Sequence, residues 1–144
     1  MGWLFLVGCT KQAKLSRYLK RAEQYFQKQD YAKAEIEYRN VIRLDPSNSV
    51  AFGRIGLIYF EFGQIPQSYQ VLSRAAKLSP TNLLIRLRYG QTCMSARMVT
   101  NARTEALYVL GKDPKFEEAS LLLADSSFTK EEQADAVQDR KSVV

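Results

Sequence analysis

Three of the four prolines, Pro46, Pro80 and Pro114, stand 34 residues apart. That spacing constrains the chain more than any other feature. A period of this length means one supersecondary unit repeated in tandem, each burying its apolar face on its neighbours. Other positions fall into the same frame. Ala22, Gly56, Gly90 and Ala124 form one column, and Ala34, Ser68, Ala102 and Ala136 a second, all of them small. Tyr25, Tyr59, Cys93 and Ser127 form a third, with Tyr38, Leu72 and Ala106 a fourth.

Two antiparallel helices approach to about 8–10 Å where small side chains face one another, so the two small columns predict a helix-turn-helix in every unit. Proline closes each unit because it cannot continue a helix and biases its predecessor towards extended backbone. Asp45, Ser79 and Asp113 hold that preceding place. Ser47-Asn48 and Thr81-Asn82 supply caps for the next helix. The frame predicts helices over about 15–28, 31–44, 49–62, 65–78, 83–96, 99–111, 117–128 and 131–138. Cys93 reads as a buried small hydrophobe.

The period, the small-large-small-Pro order, and the segments Lys28-Gln29-Asp30-Tyr31-Ala32-Lys33-Ala34 and Gly56-Leu57-Ile58-Tyr59-Phe60-Glu61-Phe62-Gly63 resemble the tetratricopeptide-repeat family. The resemblance covers residue 15 to about 138. It implies an all-α fold, a right-handed α-solenoid of stacked helix-turn-helix hairpins. About three complete repeats (15–48, 49–82 and 83–116) would be followed by a partial fourth (117–138). Ala22, Tyr25, Ala34, Pro46, Gly56, Tyr59, Ser68, Pro80, Gly90, Ala102 and Pro114 would be its repeat-structural residues. Repeat three departs from the pattern, with Cys93 in place of the aromatic and Arg97 in place of the turn glycine.

In the resembled family the first helix of each repeat lines a concave groove that grips a peptide or helix of a partner protein. Carried onto this sequence, that implies an apolar column of Phe26, Phe60, Met94 and Phe128, and a second column of Lys20, Arg54, Arg88 and Leu122. Leu19, Leu57 and Leu87 flank them. A groove with an apolar floor and a basic edge suits a partner with an acidic and apolar segment. The aromatic column reads equally well as core between repeats, and the basic column also reads as a solvated face. The clamp by which some family members hold chaperone tails is not expected. Leu19, Glu23 and Leu84 stand where it carries Lys, Asn and Lys, and Arg88 alone matches in charge.

Composition narrows the function classes. Histidine is absent and the two cysteines lie far apart, which removes Ser-His-Asp and Cys-His nucleophilic sites and leaves too few soft ligands for structural zinc. The carboxylates of Glu35/Glu37 and Glu117/Glu118 are too close in sequence to face each other on a helix, and read as solvated charge. No enzymatic activity, cofactor or metal is expected. The net charge of +6 is uneven: residues 1–112 carry 17 Lys and Arg against 7 Asp and Glu, and residues 113–144 carry 4 against 8. A basic chain attracts nucleic acid, but no basic run exceeds two residues and no finger spacing or Gly-flanked aromatic motif occurs. Nucleic-acid binding is not expected.

At the N-terminus, Trp3-Leu4-Phe5-Leu6-Val7 is too short to span a bilayer. Leu6-Val7-Gly8-Cys9 resembles the bacterial lipobox. Residues 1–8 then read as a truncated signal-peptide-like segment, Cys9 as the lipidated residue and 9–14 as a linker. The resemblance implies a lipoprotein of the bacterial cell envelope that faces the periplasm, with Thr10 favouring the outer membrane and Cys9 giving the sole membrane contact. The alternative is a cytoplasmic adaptor, or the recruitment region of a larger multidomain protein. Residues 139–144 look foreign to the repeat, and the native protein is expected to extend beyond both ends.

Overall fold

The computed structural model describes residues 3–127, with side chains from Thr10 onward. Among the described residues all regular structure is helical: α1 (Trp3–Gln27), α2 (Tyr31–Leu44), α3 (Ser49–Glu61), α4 (Ile65–Leu78), α5 (Leu83–Ser95) and α6 (Val99–Lys112). A further helical stretch covers 117–127. The chain divides into two compact units, Met1–Ser79 and Pro80–Val144.

Each hairpin turn is closed by the same hydrogen bonds. The amides of Asp30, Gln64 and Met98 donate to the carbonyls of Tyr25, Tyr59 and Cys93, at 2.9, 2.8 and 2.8 Å. Those of Gln29, Gly63 and Arg97 donate to Phe26, Phe60 and Met94, at 3.0, 3.0 and 2.9 Å. This pair of bonds satisfies the last helical carbonyls and requires a left-handed residue just past the helix end. Gln29, Gly63 and Arg97 all have it, with φ of 60°, 67° and 59°. Arg97 therefore keeps the turn that its side chain disfavours, because the surrounding hairpin fixes the backbone. The caps between units are Asn48 and Asn82, whose side chains accept from Ala51 N at 3.0 Å and Ile85 N at 3.1 Å.

The small columns meet as their spacing predicts. Ala22 and Ala34 are fully buried where α1 crosses α2. In the next hairpin the Ser68 hydroxyl donates to the Gly56 carbonyl at 2.9 Å, and a Cβ on Gly56 would lie 2.5 Å from Leu72 Cγ. A Cβ on Gly90 would lie 2.8 Å from Leu122 Cδ2 and 3.0 Å from Glu105 Cβ. In the first unit Tyr38, Val41, Ala51, Ile55 and Ile58 complete a core against which Leu15, Tyr18, Tyr25 and Tyr31 pack. Each large apolar side chain so buried contributes roughly 1.5–3 kcal/mol. Ala124, by contrast, is exposed, and its expected counterpart Ala136 lies outside the described residues, as do the helix over 131–138 and the tail 139–144.

Arginine–aromatic pairs recur in the frame with their members exchanged. Arg74 stacks on Phe52 with its guanidinium carbon 4.9 Å from the ring centre, and 34 residues on Arg86 stacks on Tyr108 at 4.0 Å. The cation moves from the second helix of one hairpin to the first helix of the next, and the contact survives because either partner can supply the charge.

Two expectations are corrected. Helix α1 opens at Trp3 rather than near residue 15, so 9–14 is helical and not a linker. No proline interrupts this stretch, and Lys11-Gln12-Ala13-Lys14 are good helix formers. Glu37 is not solvated: it is buried and pairs with Arg21, while Glu35 pairs with Arg39.

Glycine replacements separate these roles. Gly56→Leu should destabilise by roughly 1–3 kcal/mol or more through overpacking against Leu72. Gly63→Ala should cost about 1–2 kcal/mol through its positive φ. Gly111→Ala, with no atom within 4 Å of its added Cβ, should leave Tm unchanged or raise it. Thermal melts monitored by circular dichroism check the order.

Candidate partner-binding face

Lys20, Glu23, Gln24, Gln27 and Lys28 recur every three or four residues and so share one face of α1. They line an open cleft of about 520 Å³. Lys20, Gln24, Gln27 and Lys28 are exposed, whereas Glu23 is half-buried and held in place. Its Oε1 accepts from Arg54 Nε at 2.9 Å and its Oε2 from Arg54 Nη2 at 3.0 Å. Tyr38 Oη donates to Oε1 as well, at 2.5 Å. The pair links repeat one to repeat two inside the first unit. Burial first, and the Glu23 carboxylate second, hold the Tyr38 phenol above its ordinary pKa. That hydroxyl therefore stays a donor at any physiological pH.

Phe26 lies beneath the same arginine, with the Arg54 guanidinium carbon 4.5 Å from its ring centre. Its ring also meets Tyr38 at 6.4 Å and Tyr31 at 5.4 Å, and Tyr31 meets Phe62 at 5.9 Å, all edge to face. Edge-to-face rings at such separations gain about 0.5–1.5 kcal/mol beyond their buried area. Phe26 is thus chiefly packing, and its tether to Arg54 is part of that packing.

Several expected groove residues take other roles. Leu87 is fully buried and is core rather than groove lining, because its column faces inward on α5. Arg54 is not a free cation, since Glu23 supplies within the chain the anion that a partner was expected to bring. Leu19, Leu57 and Phe60 are half-buried, Leu19 against the first core. In the second unit Arg88 is half-buried and donates to Gln91 Oε1 at 2.8 Å, and Met94 is half-buried. Lys20 alone of the basic column is exposed. Phe128 lies outside the described residues. Cys93 is buried as expected, and burial pushes its thiol up to about 11. It is therefore no thiolate nucleophile near neutral pH.

The Glu23–Arg54–Tyr38 network was not anticipated. Its signal lay in two neighbouring columns: Glu23 precedes Arg54 by 31 residues, one repeat less one helical turn. The same offset gives Glu23, Leu57 and Gln91 beside Lys20, Arg54 and Arg88, and of the three complete repeats only the first carries the acid.

Residues 15–48 match the profile of the tetratricopeptide repeat. The fold agrees over most of the chain. Residues 15–48 are a tetratricopeptide repeat, and the described residues share the fold of tetratricopeptide-repeat domains. It is similar to the first tetratricopeptide-repeat domain of Spaghetti (RPAP3) bound to an HSP90 peptide, with a TM-score of 0.76 and 20% identity, covering 81% of this chain and 93% of that one. The second such domain of human RPAP3, in complex with an HSP70 peptide, gives 0.74 at 16% identity, over 81% and 98%. A Thermobaculum terrenum O-GlcNAc transferase gives 0.72 at 22% identity, over 81% of this chain and 22% of the enzyme. At these identities the likeness is one of fold. In the tetratricopeptide-repeat frame, Glu23 sits on the open face of the first helix of repeat one.

The Glu23–Arg54 pair is testable by a double-mutant cycle. Arg54→Glu alone should lower Tm by placing two carboxylates together, and adding Glu23→Arg should recover part of the loss. The coupling should be about 1 kcal/mol, modest because both side chains keep contact with solvent.

Proposed function

We propose that this chain is a protein-interaction scaffold that seats a peptide or helix of a partner protein on the first-helix faces of its repeats. The observation that carries the reading is the open polar face of α1, where exposed Lys20 and Lys28 flank a cleft that the hairpin core leaves uncovered. Peptide binding by the two RPAP3 domains supports the class of partner. A partner with an acidic and apolar segment suits this face, its acids meeting the two lysines and its apolar groups the half-buried Leu19, Leu57 and Phe60. Chaperone tails are a poor fit, because the fixed Glu23 carboxylate repels a terminal carboxylate approaching α1.

Lys20→Glu with Lys28→Glu should slow association with a partner recovered by pull-down and reduce its salt dependence, since exposed charges act over about 8 Å at physiological salt. Phe60→Ala should instead speed dissociation, with its Tm recorded to exclude unfolding. Wild-type affinity in the charge-reversed variant would place recognition elsewhere. Arg54 is unsuited to this test because reversing it breaks the pair with Glu23.

We infer further that the chain is anchored at the bacterial envelope through Cys9, a reading supported by Leu6-Val7-Gly8-Cys9. Expressed with its native upstream sequence, the protein should take up labelled fatty acid and partition to membranes, and Cys9→Ser should release it. Equal membrane association of the two would overturn the anchor.

A further inference from the structure

A second recess lies in the first unit, away from the open face of α1. It is a cleft of about 350 Å³ between α2 and α4 with α3 as its floor, lined by Arg39, Ile42, Arg43, Phe52, Ile55, Tyr59 and Val71. That volume sits at the small end of the range for ligand pockets, about 300–1,000 Å³, so it admits one or two side chains rather than a whole helix. Its floor is apolar. Ile55 is 3% exposed, and Ile42, Phe52, Tyr59 and Val71 are half-buried.

The rim is basic. Arg39 donates to Glu35 Oε1 at 2.9 Å and to Tyr59 Oη at 2.6 Å, and Tyr59 Oη donates in turn to Glu35 at 2.6 Å. That network consumes one arginine and fixes one wall. Arg74 lies over Phe52 and donates to the Pro46 carbonyl at 3.4 Å. Neither Arg74 nor Arg43 has a carboxylate partner among the described residues. Helix α4 carries no acidic residue along its length. Two uncompensated guanidiniums therefore border an apolar recess, one of them preset against an aromatic face.

We propose that this cleft is a second docking site, which takes an acidic segment of a partner protein by inserting one or two of its aliphatic or aromatic side chains while flanking Asp or Glu residues pair with Arg43 and Arg74. Charge complementarity selects this occupant: an apolar segment without acids leaves the arginines unmet, and a basic one is repelled. The site is separate from the face of α1, so one chain can hold two segments of a partner, or two partners, at once.

The test is a titration of the isotopically labelled full chain, followed by NMR, with a synthetic peptide that alternates Glu with Leu and Phe. A control peptide carries Lys for every Glu. Shifts should cluster at Ile42, Arg43, Ile55, Val71 and Arg74 with the acidic peptide and be absent with the control. Arg43→Glu, an exposed position outside the core, should weaken binding by about tenfold or more with Tm unchanged. Val71→Glu, which sets a carboxylate in the recess, should abolish these shifts in a chain whose melt remains cooperative. Shifts confined to Lys20, Gln24 and Lys28 would support the α1 face and overturn the second site. Absence of binding, or equal affinity in Arg43→Glu, would overturn it as well.

Discussion

Everything in this chain depends on how closely two helices can approach inside a hairpin. Where Ala22 faces Ala34, Gly56 faces Ser68 and Gly90 faces Ala102, the side chains are small enough to bring the backbones together, and at the second crossing a hydroxyl bonds directly to a carbonyl of the facing helix. Close approach in turn lets the flanking residues interdigitate: Leu72 fills the space above Gly56, and Leu122 that above Gly90. A larger residue at any of these positions would part the helices along their whole length, because interiors packed to crystal density have no slack to absorb it.

Given that contact, the hairpin turn is determined with little help from its own sequence. The same pair of amide bonds and the same left-handed residue occur three times, on Gln29, Gly63 and Arg97, although glycine alone adopts that backbone without cost. The two helices, once packed, leave a single short path for the chain between them. Local strain is thereby offset by tertiary packing, which is why the departure of repeat three from the family pattern leaves its turn intact.

Polar links are more variable than the apolar frame and carry more individuality. Glu23 binds Arg54 across the first repeat boundary, Arg21 binds Glu37 within the first hairpin, and Arg86 binds Glu105 within the third. The exchanged pairs Phe52–Arg74 and Arg86–Tyr108 show two positions satisfying one requirement with opposite assignments. These links decide which charges remain for a partner. Lys20, Lys28 and Arg43 stay exposed, while Arg54 and Arg86 are neutralised within the chain.

The sequence by itself determined the period, the helical hairpins, the small-residue contacts, the Asn48 and Asn82 caps and the burial of Cys93. All of these follow from short-range rules: helical periodicity, proline's missing donor, and the volume of one side chain against its frame partner. Tertiary structure alone decided the rest. It turned Leu87 inward, engaged Phe26 in a chain of rings, paired Arg54 with an acid one turn short of a full repeat, and left Arg43 and Arg74 uncompensated beside an apolar recess. The reason is geometric. A column in the repeat says which helical face a residue occupies, but whether a charge is free depends on side chains reaching across from neighbouring helices. Those reaches of a few ångströms are set by packing, after the fold has formed.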